Sequence, residues 1–158
     1  MKNVQKSLCH LHYSWEDLVH EVYLQSSYAV KGYPDVDADA LVLGEDESML
    51  LARLLSDAYS SVFNRLSGFM KEGGGCLTVG SHIDFSLMIP DAIPAGVLES
   101  LSHLVKQLLV YYVLSLWFMG RNRELATNFL QLCDSVAEEV KSCLHRRLVP
   151  ITRNSCWW

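Results

Sequence analysis

The stretch from 76 to 84 brings together a cysteine, a histidine and a carboxylate. Cys76 stands in a short predicted strand, and His82 and Asp84 share one face of the strand that follows. A thiol beside an imidazole that a carboxylate orients is an arrangement used in nucleophilic catalysis. However, the sequence does not mark Cys76 as activated, and no loop of the oxyanion-binding kind follows it. We therefore predict no catalytic residues and expect His82 and Asp84 to line the solvent side of a hairpin.

The N-terminal motif Cys9-His10-x-His12 contains three residue types that bind zinc. Zinc sites typically use two pairs of ligands at short spacing, and here only His20 could help. The sequence therefore predicts no metal site at this motif.

The acidic residues Asp35, Asp37 and Asp39 resemble the start of a calcium-binding loop, with Asp46 at its twelfth position. The sixth position of such a loop is a glycine that makes a sharp turn, but here it is Ala40. We predict no metal and no cofactor, and the sequence leaves open whether the three aspartates bind a cation.

Large aromatic side chains are the other residues that could carry function. They are Tyr111, Tyr112, Trp117, Phe118, Trp157 and Trp158. Aromatic residues are typical anchors of protein interfaces, so we predict these six as interface candidates. As an alternative, a cavity near Tyr111, Tyr112 and Trp117 could hold an apolar ligand.

Hydrophobic periodicity predicts the elements that position these residues. Apolar residues at helical spacing predict helices over 14–27, 45–71, 94–120 and 122–150. The run Gly73-Gly74-Gly75 is expected to end the second helix, and 76–79 and 83–89 to form strands joined by a turn at Gly80 and Ser81. We predict a mainly α fold, a four- to five-helix bundle with a small β-hairpin inserted between helices two and three.

Composition and charge limit the class of protein. The chain has 158 residues, 50% of them hydrophobic, and a net charge of −5, which excludes wholesale disorder. We predict a single domain over 1–158, with a mobile N-terminal segment over 1–12 and a C-terminal tail over 150–158. The apolar run 108–119 is too short to span a membrane.

The charge is unevenly distributed along the chain. Residues 1–99 carry 14 acidic and 6 basic side chains, whereas 100–158 carry 4 acidic and 7 basic ones. Arg146, Arg147 and Arg153 are too few for a nucleic-acid-binding face. Five cysteines at irregular spacing favour reduced thiols and a cytoplasmic location. We expect neither nucleic acid nor membrane as a partner.

The layout of residues 45–150 resembles the small connector or neck proteins of tailed-phage particles. It begins with the acidic-capped helix DESMLLARLLSDAYSSVF, continues through a hairpin after a glycine-rich break, and ends in long apolar helices. The resemblance implies a non-catalytic role in which copies assemble, with the Gly80-Ser81 hairpin as an arm. The predicted function is a structural or protein-interaction module that oligomerises. The alternative is a small-molecule-binding or regulatory helical domain.

Overall fold

The computed structural model describes residues 6–32, 41–90 and 93–145, apart from the side chain of Glu45. Within these ranges lie three strands, β1 (Lys6–Ser14), β2 (Met70–Thr78) and β3 (His82–Pro90). The helices are α1 (Trp15–Lys31), α2 (Ser48–Leu66), α3 (Ala95–Met119) and α4 (Arg123–His145). The aspartates Asp35, Asp37 and Asp39, and the tryptophans Trp157 and Trp158, lie outside the described residues.

The three strands form one antiparallel sheet in the order β1-β3-β2. Along β3, Ile83, Phe85 and Leu87 are buried, while His82, Asp84 and the other alternating residues face outward. A strand alternates its side chains between the two faces of the sheet, so the apolar face of β3 packs on the helices. This confirms the alternation that the sequence predicts for 83–89.

The predicted helical bundle with a two-stranded hairpin is wrong, because the sheet has a third strand at the N-terminus. Residues that were expected to form a mobile segment make up most of β1, which pairs with β3 from Lys6↔Pro90 to Ser14↔His82. Leu11 and Tyr13 are buried in the core, and this burial holds β1 in place. The Tyr13 hydroxyl also donates a 2.8 Å hydrogen bond to the carbonyl of Ser102 on α3.

The glycine run 73–75 lies inside a strand and does not end a helix. Helix α2 ends at Leu66, a 3₁₀ turn follows over Ser67–Phe69, and β2 begins at Met70. Between Met70↔Leu87 and Gly75↔Phe85 the pairing of β2 with β3 is interrupted, because β2 advances five residues while β3 advances two. The extra residues of β2 form a bulge of several residues on this edge of the sheet.

Helix α3 is the centre of the core. It packs against α1, α2 and α4, and it buries Leu108, Val113, Leu114, Trp117 and Phe118. By length and composition α3 could cross a membrane, but 56% of its most apolar window is buried inside the protein. This burial is consistent with a soluble protein, in which an all-round apolar helix is surrounded by other elements.

Candidate functional site: the open face of the sheet

One face of the sheet is covered by helices, and the other carries a group of polar side chains that we call the open sheet face. It consists of His10 and His12 on β1, His82, Asp84 and Ser86 on β3, and Cys76 on β2. The backbone register sets His12 and Cys76 on either side of Asp84 and sets His10 beside Ser86. Residues opposite each other on neighbouring strands lie within side-chain reach.

Asp84 is the centre of this group because it contacts two histidines. Its Oδ1 atom is 2.6 Å from Nδ1 of His12, and its Oδ2 atom is 3.3 Å from Nε2 of His82. The second nitrogen of His82 is 2.8 Å from the hydroxyl of Ser81. The centroids of the His12 and His82 rings are 5.4 Å apart. The carboxylate therefore holds both imidazoles in fixed orientations.

A shallow groove of about 360 Å³ crosses the open sheet face between β1 and the bulge of β2. Gly73, Gly74 and Gly75 form one wall of the groove. Gly73 has a φ of 69°, which favours glycine, and a Cβ atom on Gly74 would lie 2.6 Å from the carbonyl oxygen of Lys71. Glycine is thus required at the wall for two reasons. Gly73 has a positive φ, and at Gly74 neighbouring backbone atoms leave no room for a Cβ atom.

Cys76 lines the same groove as His12 and Asp84, but its thiol is not oriented by either of them. The Cys76 thiol is exposed and lies 3.9 Å from the hydroxyl oxygen of Thr78. Among residues 6–32, 41–90 and 93–145, no hydrogen bond joins this thiol to an imidazole. His82 and Asp84 do lie on the solvent side of the hairpin, as the sequence predicts.

His10 and His12 both lie on the open sheet face, whereas Cys9 does not. Cys9 lies on the opposite face of β1, packed against the core, and burial raises the pKa of its thiol. In the described part of one chain, no three His, Cys, Asp or Glu side chains are placed to share a metal ion. A single chain therefore offers two oriented imidazoles at this motif, not the three ligands that the sequence motif contains.

The aromatic interface candidates have different positions in the structure. Trp117 and Phe118 belong to the core, where the Trp117 indole donates a 2.8 Å hydrogen bond to the carbonyl of Leu41. Tyr111 and Tyr112 are half-buried. The cleft beside Tyr111 has a volume of about 150 Å³ and is lined mostly by polar side chains. It is smaller than most sites for small molecules, which are also mainly apolar.

The turn at Gly80 and Ser81 is held against the body of the protein. Gly80 has a φ of 79°, and the amide of Ser81 donates a 2.9 Å hydrogen bond to the carbonyl of Thr78. The carbonyl of Ser81 in turn accepts a 3.0 Å hydrogen bond from the amide of Trp15, at the start of α1. The turn is therefore anchored to the start of α1, while Gly80 and Ser81 themselves are exposed. The role of this turn as an arm, which the phage resemblance implies, stays a prediction.

Sequence reasoning missed the contribution of β1 to this site. The signal was present in the alternation of Cys9, Leu11 and Tyr13 with His10 and His12, which places both histidines on one face of a strand. Comparison of the chain with models of known protein families, with curated proteins and with solved structures finds no match.

Proposed function

We propose that the protein is a non-catalytic interaction module that self-associates by pairing the open edge of β1 with β1 of a second copy. The observation that supports this proposal is the uninterrupted edge of β1. This strand has nine residues in continuous register with β3, and it contains no proline and no acidic residue. An edge strand of this kind presents a row of backbone amides and carbonyls to a further strand.

The opposite edge of the sheet differs in each of these respects. The bulge in β2 breaks the pairing between Met70 and Gly75, and it carries the exposed charges of Lys71 and Glu72. Bulges and charged residues are common means by which proteins prevent unwanted strand addition. Within the described residues no strand or bulge protects the edge of β1, and this contrast with β2 favours a role for β1 in association.

A second copy is the partner that fits this edge best. Two identical antiparallel edges form a closed pair about a two-fold axis, which is the commonest arrangement of protein oligomers. Apart from its two histidines, β1 contains one residue with a charged side chain, Lys6 at its beginning. Two copies of β1 therefore bring few like charges together. Self-association is also what the resemblance to tailed-phage connector proteins implies. We also propose a cytoplasmic location, which the free thiols of Cys9, Cys76, Cys133 and Cys143 support.

Sedimentation equilibrium with two lysine variants tests this function. We expect the wild-type protein to pass from 17.9 kDa to twice that mass as its concentration rises. Leu8 on β1 is 39% exposed and Leu132 on α4 is 43% exposed, so they form a matched pair. Leu8→Lys should weaken the dimer about tenfold or more, because it adds a charge to the edge, and Leu132→Lys should not. A wild-type protein that stays monomeric at several hundred micromolar would overturn the proposal.

Amide hydrogen exchange gives a second, residue-level test. In the monomer, the amides of β1 alternate between those bonded to β3 and those that face the open edge. Protection should therefore alternate along 6–14 at low concentration and become continuous at high concentration. An alternating pattern that persists in a dimeric sample would show that the dimer uses another surface and would refute the proposal.

A further inference from the structure

The two histidines of β1 are fixed in a similar way by side chains of β3. Nδ1 of His12 lies 2.6 Å from Oδ1 of Asp84, and Nδ1 of His10 lies 2.9 Å from the hydroxyl oxygen of Ser86. His10 and His12 are two residues apart, so they project from the same face of the strand. Both rings are thus held side by side on the exposed surface of an edge strand.

The contact with Asp84 also determines which nitrogen of His12 carries the proton. An ionised carboxylate can only accept a hydrogen bond, so Nδ1 of His12 is the donor and Nε2 of the neutral ring keeps its lone pair. The Ser86 hydroxyl can accept a hydrogen bond from His10 in the same manner. Metal-binding histidines usually have this arrangement, in which the nitrogen that does not bind the metal donates to a carboxylate or another oxygen.

One chain does not complete a metal site with these two rings. Structural zinc sites use four ligands in a tetrahedral arrangement. Asp84 already contacts His12 and His82, and Cys9 lies on the other face of β1. In the described residues no third ligand is placed beside His10 and His12. The described residues of one chain therefore supply two of the four ligands that such a site needs.

We infer that a divalent zinc-class ion binds between two copies of the chain, held by Nε2 of His10 and His12 from each copy. This inference rests on the self-association proposed above and specifies its register. When two copies of β1 pair antiparallel about Leu11, each His10 stands directly opposite the partner's His12 on the same face of the joined sheet. Opposite residues have Cβ atoms about 4.5–5.5 Å apart, which allows four imidazoles to reach one ion. Imidazole is a suitable ligand for zinc, copper and nickel.

Sedimentation equilibrium with zinc chloride, and with EDTA as the metal-free reference, tests the inference. Zinc should strengthen the dimer about 100-fold or more, with one zinc ion per two chains by metal analysis. His10→Ala and His12→Ala should abolish the zinc effect and keep the metal-free dimer. His20→Ala, which removes an exposed histidine from α1, is the control and should retain the zinc effect. Asp84→Asn should weaken zinc binding about 10- to 100-fold because Asp84 orients His12.

The results distinguish this inference from the proposed function. A metal-free dimer that uses β1 but does not respond to zinc would overturn the zinc site and leave the proposed function standing. A metal-free monomer that zinc converts to a dimer, dependent on His10 and His12, would support the zinc site and overturn the metal-free association. Zinc bound at one ion per chain without dimer formation would overturn the shared site. Circular dichroism of each variant shows whether a loss of zinc binding comes from unfolding.

Discussion

Replacement of Gly74 by alanine tests how closely the bulge in β2 packs against the neighbouring backbone. A Cβ atom at this position would lie 2.6 Å from the carbonyl oxygen of Lys71 and 2.7 Å from that of Ser86. Both atoms belong to the backbone, and the Ser86 carbonyl belongs to the central strand, so neither can move without shifting the sheet. Overpacking typically costs about 1–3 kcal/mol, and we expect the upper part of this range. The lower chain entropy of unfolded alanine offsets about 0.4–1 kcal/mol, which leaves a net loss of about 2 kcal/mol.

Two further glycines separate crowding from backbone conformation. Gly73 has open space around its Cβ position but a φ of 69°, so Gly73→Ala should cost about 1–2 kcal/mol. Gly68 has open space and no positive φ, so Gly68→Ala should be neutral or slightly stabilising. Urea unfolding followed by circular dichroism measures all three free energies of unfolding. A Gly74→Ala variant within 0.5 kcal/mol of Gly68→Ala, about the scatter of neutral surface changes, would refute the close approach of the bulge to β3.

Three other perturbations should have measurable effects on stability. Trp117→Phe should lower the free energy of unfolding by about 1–3 kcal/mol or more, measured by urea titration, because the carbonyl of Leu41 loses its buried donor. Tyr13→Phe should cost about 1 kcal/mol in the same assay, because it removes the hydrogen bond to Ser102. Burial raises the pKa of Cys133 from 9.0 to about 12, so the unfolded thiol ionises first and stability should fall as the pH rises from 9 to 12. The fall due to this thiol should approach about 1.4 kcal/mol per pH unit and should be absent from Cys133→Ala in parallel titrations.

The strands show how far the sequence could predict this fold. The alternation in β3 was clear because four apolar residues from Ile83 to Ile89 alternate with outward-facing ones. In β1 the apolar positions include Cys9, and the polar positions are histidines, so the same period of two was weaker. Its pairing partner is 76 residues away in the chain, and local patterns do not report such contacts. The sheet was therefore predicted with two strands where it has three.

The glycine run misled the prediction from the sequence, whereas the apolar run of the central helix did not, and both outcomes have physical reasons. A run of three glycines usually ends a helix, but here Gly74 and Gly75 are needed because backbone and aromatic atoms pack against them. For Gly75 these atoms are the Tyr59 hydroxyl and the Phe63 ring, which only the folded structure brings close. By contrast, the apolar run 108–119 of α3 is visible in the sequence, and most of its side chains are buried. That the burial comes from α1, α2 and α4 of the same chain depends on tertiary packing.

The pairing of β1 with β3 has a consequence for the protein during its synthesis. β1 is made before β3, and His10 meets Ser86 only after 76 further residues have been added. At about 5–20 residues per second, this interval lasts about 4–15 s on the ribosome. Throughout that time Leu11 and Tyr13 have no sheet to cover them, and β1 can pair with β3 of a neighbouring nascent chain. Chains translated from the same messenger are therefore expected to exchange β1, and slower translation of the segment from Trp15 to Ser81 should increase the yield of such exchanged dimers.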